Sequence, residues 1–114
     1  MSDKRTITLS DRAPVTIVEA DWPIIAQASD HDDAHEFQAN RTWHLYVRQH
    51  EDGRAIVYGV YRTKFENEHD RRGGHLLDVN ENIAAHISDV AKELGFDDRM
   101  AQECIADLPA EELY

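Results

Sequence analysis

This chain of 114 residues is poor in cysteine, with one, in proline, with three, and in glycine, with five. A lone cysteine closes no internal disulfide, so Cys104 is expected to be a free thiol and the setting a reducing one. Long apolar runs are missing too. None approaches the roughly 20 residues that a membrane-spanning helix needs. The opening residues, MSDKRTITLSD, hold no apolar stretch with a small-residue cleavage site behind it. The expectation is a cytoplasmic protein without a secretion signal. Internal repeats and low-complexity segments are absent. Positive charge is the scarcer sign, with 12 Lys and Arg against 23 Asp and Glu and a formal net charge of −11. That balance argues against direct nucleic-acid binding, whose affinity comes from cations that displace phosphate counterions.

What is present is an ordinary folding composition. Hydrophobic residues make up 41% of the chain, so it can bury a core, and the length suits a single domain over residues 1–114. The charge is unevenly spread. Residues 41–75 carry seven basic and five acidic side chains, whereas residues 76–114 carry two and ten. An acidic protein with a mildly basic middle follows.

That middle contains the strongest structural signal. Thr42 to Arg62, TWHLYVRQHEDGRAIVYGVYR, places two β-branched and aromatic runs on either side of Asp52-Gly53. A two-residue turn there predicts a β-hairpin in which Leu45 opposes Val60 and Val47 opposes Tyr58. One face would collect Trp43, Leu45, Val47, Ile56, Tyr58 and Val60 as core. The other would carry His44, Tyr46, Arg48, Ala55, Val57, Gly59 and Tyr61. Gly59 inside a strand marks a bulge or a close approach of another element.

Around the hairpin the pattern predicts further elements. Lys4 to Leu9 and Val15 to Val18 read as two short strands. Asp21-Trp22-Pro23 has the form of a helix start, with a short helix to Ser29. Residues 63–75 read as an exposed flexible loop hinged at Gly73-Gly74. Asp78 and Glu81 are spaced as a capping box before a helix striped by Ile83, Ile87, Val90 and Leu94. Gly95 ends that helix. Asp97 or Asp98 caps a second one, striped by Met100, Ala101, Cys104, Ile105 and Leu108, and residues 109–114 form a tail. The predicted fold is α+β, in the order β-β-α-β-β-α-α. It has an antiparallel four-stranded sheet from two hairpins, with amphipathic helices on one face.

No motif for catalysis emerges. Cys104 sits on an apolar helical stripe where a thiolate is disfavoured, no serine has a nucleophile-elbow setting, and carboxylates are too numerous for any pair to stand out. Arg71-Arg72-Gly73-Gly74 lacks the strand, glycine pattern and adjacent helix of a phosphate loop. His31 and His35 would share a face if helical and could hold a metal ion, but no third ligand is marked by spacing. No cofactor is expected.

The segments ADWPIIAQA, ANRTWHLYVRQHEDGRAIVYGVY and GGHLLD, followed by an amphipathic helix, resemble a group of short uncharacterised acidic proteins of bacterial plasmids and integrative elements. The resemblance covers residues 20–95 and implies a setting, an accessory protein of a mobile element in the bacterial cytoplasm, without implying an activity. The expected function is non-enzymatic protein binding. Its surface would be the second hairpin face and the following loop, through His44, Tyr46, Arg48, Tyr61, Arg71 and Arg72. An alternative is an acidic inhibitor of a nucleic-acid enzyme, in which Asp89, Glu93, Glu103 and Asp107 imitate the phosphates of DNA. An exposed hairpin edge would allow a homodimer.

Overall fold

The computed structural model describes residues 3–32 and 39–110. Six strands precede two helices: β1 (Lys4–Ile7), β2 (Val15–Val18), β3 (Ile24–His31), β4 (Arg41–Gln49), β5 (Ala55–Thr63), β6 (Arg71–Leu77), α1 (Ile83–Glu93) and α2 (Asp98–Ala106). β3 to β6 form one antiparallel sheet in sequential order, and β1 and β2 form a separate two-stranded sheet. The α+β class is as expected, with three layers: hairpin, sheet and helices.

The segment expected as a helix from Trp22 to Ser29 is strand β3, entered through a single 3₁₀ turn at Glu19–Asp21. Ala26 and Ala28 are buried at strand spacing, beneath the helices, while Gln27 and Ser29 are exposed. Pairing along the whole of β4 outweighs the helix propensity of two alanines. The stretch expected as a flexible loop at 63–75 is loop only from 64 to 70. Arg71 to His75 belong to β6, and Gly73-Gly74 is a paired segment of strand rather than a hinge.

The hairpin exists, but its register is one residue away from expectation. His50 N–H donates to Arg54 C=O at 2.9 Å and Gly53 N–H to His50 C=O at 2.9 Å, with Gly53 at φ 97°. This is a three-residue loop closed by a left-handed glycine, not a two-residue turn. Leu45 therefore faces Gly59, Tyr46 faces Tyr58 and Arg48 faces Ile56. Because side chains alternate, the slip moves every β5 side chain to the opposite face.

The helix-side core is thus Leu45 and Val47 with Ala55, Val57, Tyr61 and Leu77, covered by Ile87, Val90, Ala91, Leu94, Met100, Ala101 and Cys104. Burial pushes the Cys104 thiol up to about 11, which fits a packed, unreactive residue. The outer face holds a second cluster in which Ile7, Leu9, Ile17 and Trp22 cover Ile56 and Tyr58.

The helices are capped as their sequence suggests, with one shift. Asn82, rather than Asp78, is the N-cap of α1, accepting from Ala85 N–H at 3.1 Å, while Glu81 receives Asp78 N–H at 2.7 Å in the preceding turn. Gly95, at φ 73°, closes α1, with Phe96 N–H on Ala91 C=O and Gly95 N–H on Lys92 C=O. Asp97 caps α2. No helix among the described residues is long and apolar enough to cross a membrane.

The hairpin edge expected to be open for dimer pairing is not an edge, since β4 and β5 are the two central strands. The true edges are β3 and β6. Asp107 accepts Gln27 N–H on β3 at 3.0 Å, and Ser10 takes both the N–H and the C=O of Gly74 on β6. Local caps of this kind hinder strand addition.

Candidate functional site

The β1–β2 hairpin covers only part of the outer sheet face. Ile7, Leu9 and Ile17 sit over Ile56 and Tyr58, with Leu76 packed alongside. The remainder of that face, carrying His44, Val60, Arg62 and Arg72, lies open. Arg5 shares the inner side of the hairpin with its pairing partner Ile17 and with Ile7, so it reaches over the boundary. A recess of about 330 Å³ results, lined by Arg5, Ile24, His44, Tyr46, Arg48, Tyr58, Val60 and Arg62. A smaller hollow of about 70 Å³ shares Arg5, Tyr58, Val60 and Arg62 and extends to Arg72.

The floor is aromatic. The His44 and Tyr46 rings lie nearly parallel, 7° between planes and 5.9 Å between centroids, and Tyr46 packs on Tyr58 at 5.2 Å. Burial raises the Tyr46 phenol above its ordinary range, so it stays protonated near neutrality. Arg48 is almost fully buried, 6% exposed. It donates to Tyr58 Oη at 2.9 Å and to Trp22 C=O at 3.0 Å, with Glu19 at 3.9 Å. Its guanidinium is a structural cation, tying β4, β5 and the Trp22 turn together below the recess. Glu19 also binds Arg5 directly, which lowers the Glu19 carboxyl and raises Arg5. The side chains of Arg62 and Arg72, whose backbones pair in the sheet, make no ion pair or hydrogen bond with any described residue. The two hollows thus have Arg48 beneath them, Arg5 held by Glu19 at their boundary and the unbonded Arg62 and Arg72 side chains at their rim, and no carboxylate in their linings.

Compared with family models, curated proteins and solved structures, the chain matches none. Its function has to be read from this geometry.

Of the six residues expected to form the binding face, the structure brings His44, Tyr46, Arg48 and Arg72 to one side. Tyr61 and Arg71 lie on the other. Tyr61 is buried beneath the helices, 5.4 Å from Trp43, and its hydroxyl donates to Glu68 at 2.8 Å. Arg71 stacks over Tyr61 at 4.5 Å. For Tyr61 the displacement follows directly from the one-residue register change, and Arg71 follows because β6 pairs it with Tyr61. Sequence reasoning missed Arg5, Tyr58, Val60 and Arg62. The signal was Glu51-Asp52-Gly53, which fits a three-residue loop as well as Asp52-Gly53 fits a two-residue one.

The acids expected to imitate DNA are all exposed, but three of the four are paired with other groups of the chain. Glu93 accepts from Ser10 and bonds His75, Asp107 caps β3, and Glu103 lies 4.0 Å from Arg99. Only Asp89 of the four is without a partner among the described residues. His31 ends β3, and its Nδ1 is buried with no hydrogen-bond partner among the described residues. His35 lies outside the described residues, so the His31/His35 pairing has no structural description. A larger hollow of about 520 Å³ is lined by Asp21 and Glu51 with Gln49 and His50 and by no lysine or arginine, so it lacks the guanidinium cluster of the recess.

Proposed function

We propose that the protein is a non-enzymatic binding protein and that its contact surface is the recess beside the β1–β2 hairpin. The occupant is an acidic segment of a protein partner. The observation that carries this reading is the pairing state of the arginines: among the described residues the Arg62 and Arg72 side chains stand unpaired, beside Arg5 and Arg48, which share Glu19, at hollows whose linings hold no carboxylate, on a chain of net charge −11. A planar guanidinium matches a carboxylate with two parallel hydrogen bonds. Tyrosine and arginine are also the residues that most often dominate interface energy. A long polyanion that enters the recess would meet the acidic remainder of the protein, so a short acidic stretch fits better than a nucleic acid. The setting implied by the resemblance, an accessory protein of a mobile element, is part of this proposal.

The test starts from a partner captured from the native host and then purified. Reversing both exposed arginines, Arg62→Glu with Arg72→Glu, should weaken its binding by about 100-fold, tenfold for each lost charge-assisted contact. Thermal stability should stay close to that of the unmodified protein, because neither side chain is buried or bonded. Unchanged affinity in the double variant would overturn the proposal. Asp89→Lys serves as the control, and loss of binding there instead would favour the acidic-mimic reading.

A further inference from the structure

A second group of polar side chains lies on the opposite side of the sheet, where α1 crosses β6. His75 on β6 and His86 on α1 point their Nδ1 atoms at one another, 2.8 Å apart. Their rings meet edge to face at 87°, with centroids 5.1 Å apart. Behind each ring stands a carboxylate. Glu93 Oε1 and Oε2 lie 2.9 and 3.1 Å from His75 Nε2, and Glu81 Oε1 lies 3.6 Å from His86 Nε2. Glu93 is itself fixed by the Ser10 hydroxyl at 3.0 Å, and the same hydroxyl receives Gly74 N–H. Residues from the β1–β2 connection, β6 and α1 therefore converge on two imidazoles.

The carboxylates bias where the ring hydrogens go. His75 Nε2, at hydrogen-bond distance from Glu93, is best occupied by N–H, and Glu81, at an ion-pair distance of 3.6 Å, favours N–H on His86 Nε2 by charge alone. Both Nδ1 atoms then present lone pairs to each other at 2.8 Å, which is repulsive unless a cation lies between them. Histidines that bind metals have this same form, with one nitrogen free for the ion and the other held by a carboxylate.

We propose that His75 and His86 form a binding site for a borderline-soft divalent cation of the Zn²⁺, Ni²⁺ or Cu²⁺ class, with the two Nδ1 atoms as ligands. Two nitrogens at the usual distance of about 2.0–2.1 Å from a tetrahedral zinc ion are about 3.3–3.4 Å apart. A small outward rotation of two partly exposed rings supplies that separation. Among the described residues no group of three or more His, Cys, Asp and Glu converges as a ligand set. The remaining positions are therefore left to water, and the ion binds exchangeably rather than as part of the core. This site is separate from the recess and does not depend on it.

The probe is Zn²⁺ alone, added to untagged, metal-free protein and followed by calorimetry and by the imidazole signals in an NMR spectrum. One equivalent should shift the signals of His75 and His86. Zinc affinity should fall by at least tenfold in His86→Ala and by about 10–100-fold in Glu93→Gln, which removes a carboxylate and no ligand. The backbone spectrum of each variant reports whether it is folded. If Zn²⁺ leaves the His75 and His86 signals in place, or binds the two folded variants as tightly as the parent, the site holds only a shared proton and the proposal fails.

Discussion

Glu68 shows how one side chain can stabilise a loop that looks unsupported in the sequence. Its carboxylate accepts from Arg41 Nε and Nη2 at 3.1 and 2.6 Å, from Tyr61 Oη at 2.8 Å and from Thr63 Oγ1 at 2.8 Å. These donors favour the ionised form and lower its pKa from an ordinary 4.5 to about 2, with Arg41 the largest cause. A carboxyl with a depressed folded pKa stabilises fully above its unfolded pKa and loses that contribution as pH falls through the folded value. Glu68→Gln should therefore lower Tm at pH 7. The difference from the unmodified protein should shrink as pH falls from about 4.5 toward about 2. Thermal unfolding followed by circular dichroism across that range measures it, and a constant difference would show that Glu68 acts through packing alone.

At the scale of elements, legibility depended on whether the signal was local. Both helices, their apolar stripes and the Gly95 stop were readable because capping and 3.6-residue periodicity operate within one segment. β3 was not, because Trp22-Pro23 and two alanines carry helix-like cues whose override comes from pairing with β4. β6 was hidden for a related reason. Arg71-Arg72-Gly73-Gly74 resembles a loop, yet the glycines are needed where neighbours crowd the strand. A Cβ on Gly74 would lie 2.6 Å from Val57 C=O, and Gly59 on β5 is crowded in the same way. A Cβ there would lie 2.7 Å from Leu94 Cδ1 and 3.0 Å from Phe96 Cε2, so the end of α1 packs directly on the strand backbone. The close approach anticipated for Gly59 is thus what the structure contains. Gly59→Val should cost about 1–3 kcal/mol by overpacking. Chemical denaturation should show a lower midpoint with an unchanged slope; an unaltered midpoint would mean that the helix end shifts freely.

For the whole molecule, the outcome turned on one loop residue. A hairpin was legible in the sequence, but its loop length was not, and loop length sets which side chains share a face. Counting two turn residues put Tyr61 beside Tyr46, whereas three put Tyr58 and Arg62 there. The candidate site was therefore half visible: the β4 residues His44, Tyr46 and Arg48 were found, while their β5 and β1 neighbours were not. Arg48 also changed role, from expected contact to buried tie. Net charge pointed to an acidic protein and concealed a local excess of guanidinium that only the assembled sheet reveals. The most direct check of the recess is arginine-specific labelling with phenylglyoxal, read by mass spectrometry, on the protein alone and bound to its captured partner. Binding at the recess predicts that Arg62 and Arg72 lose their labelling in the complex while Arg54 and Arg99 keep theirs. Equal labelling of Arg62 and Arg72 in both states would contradict it.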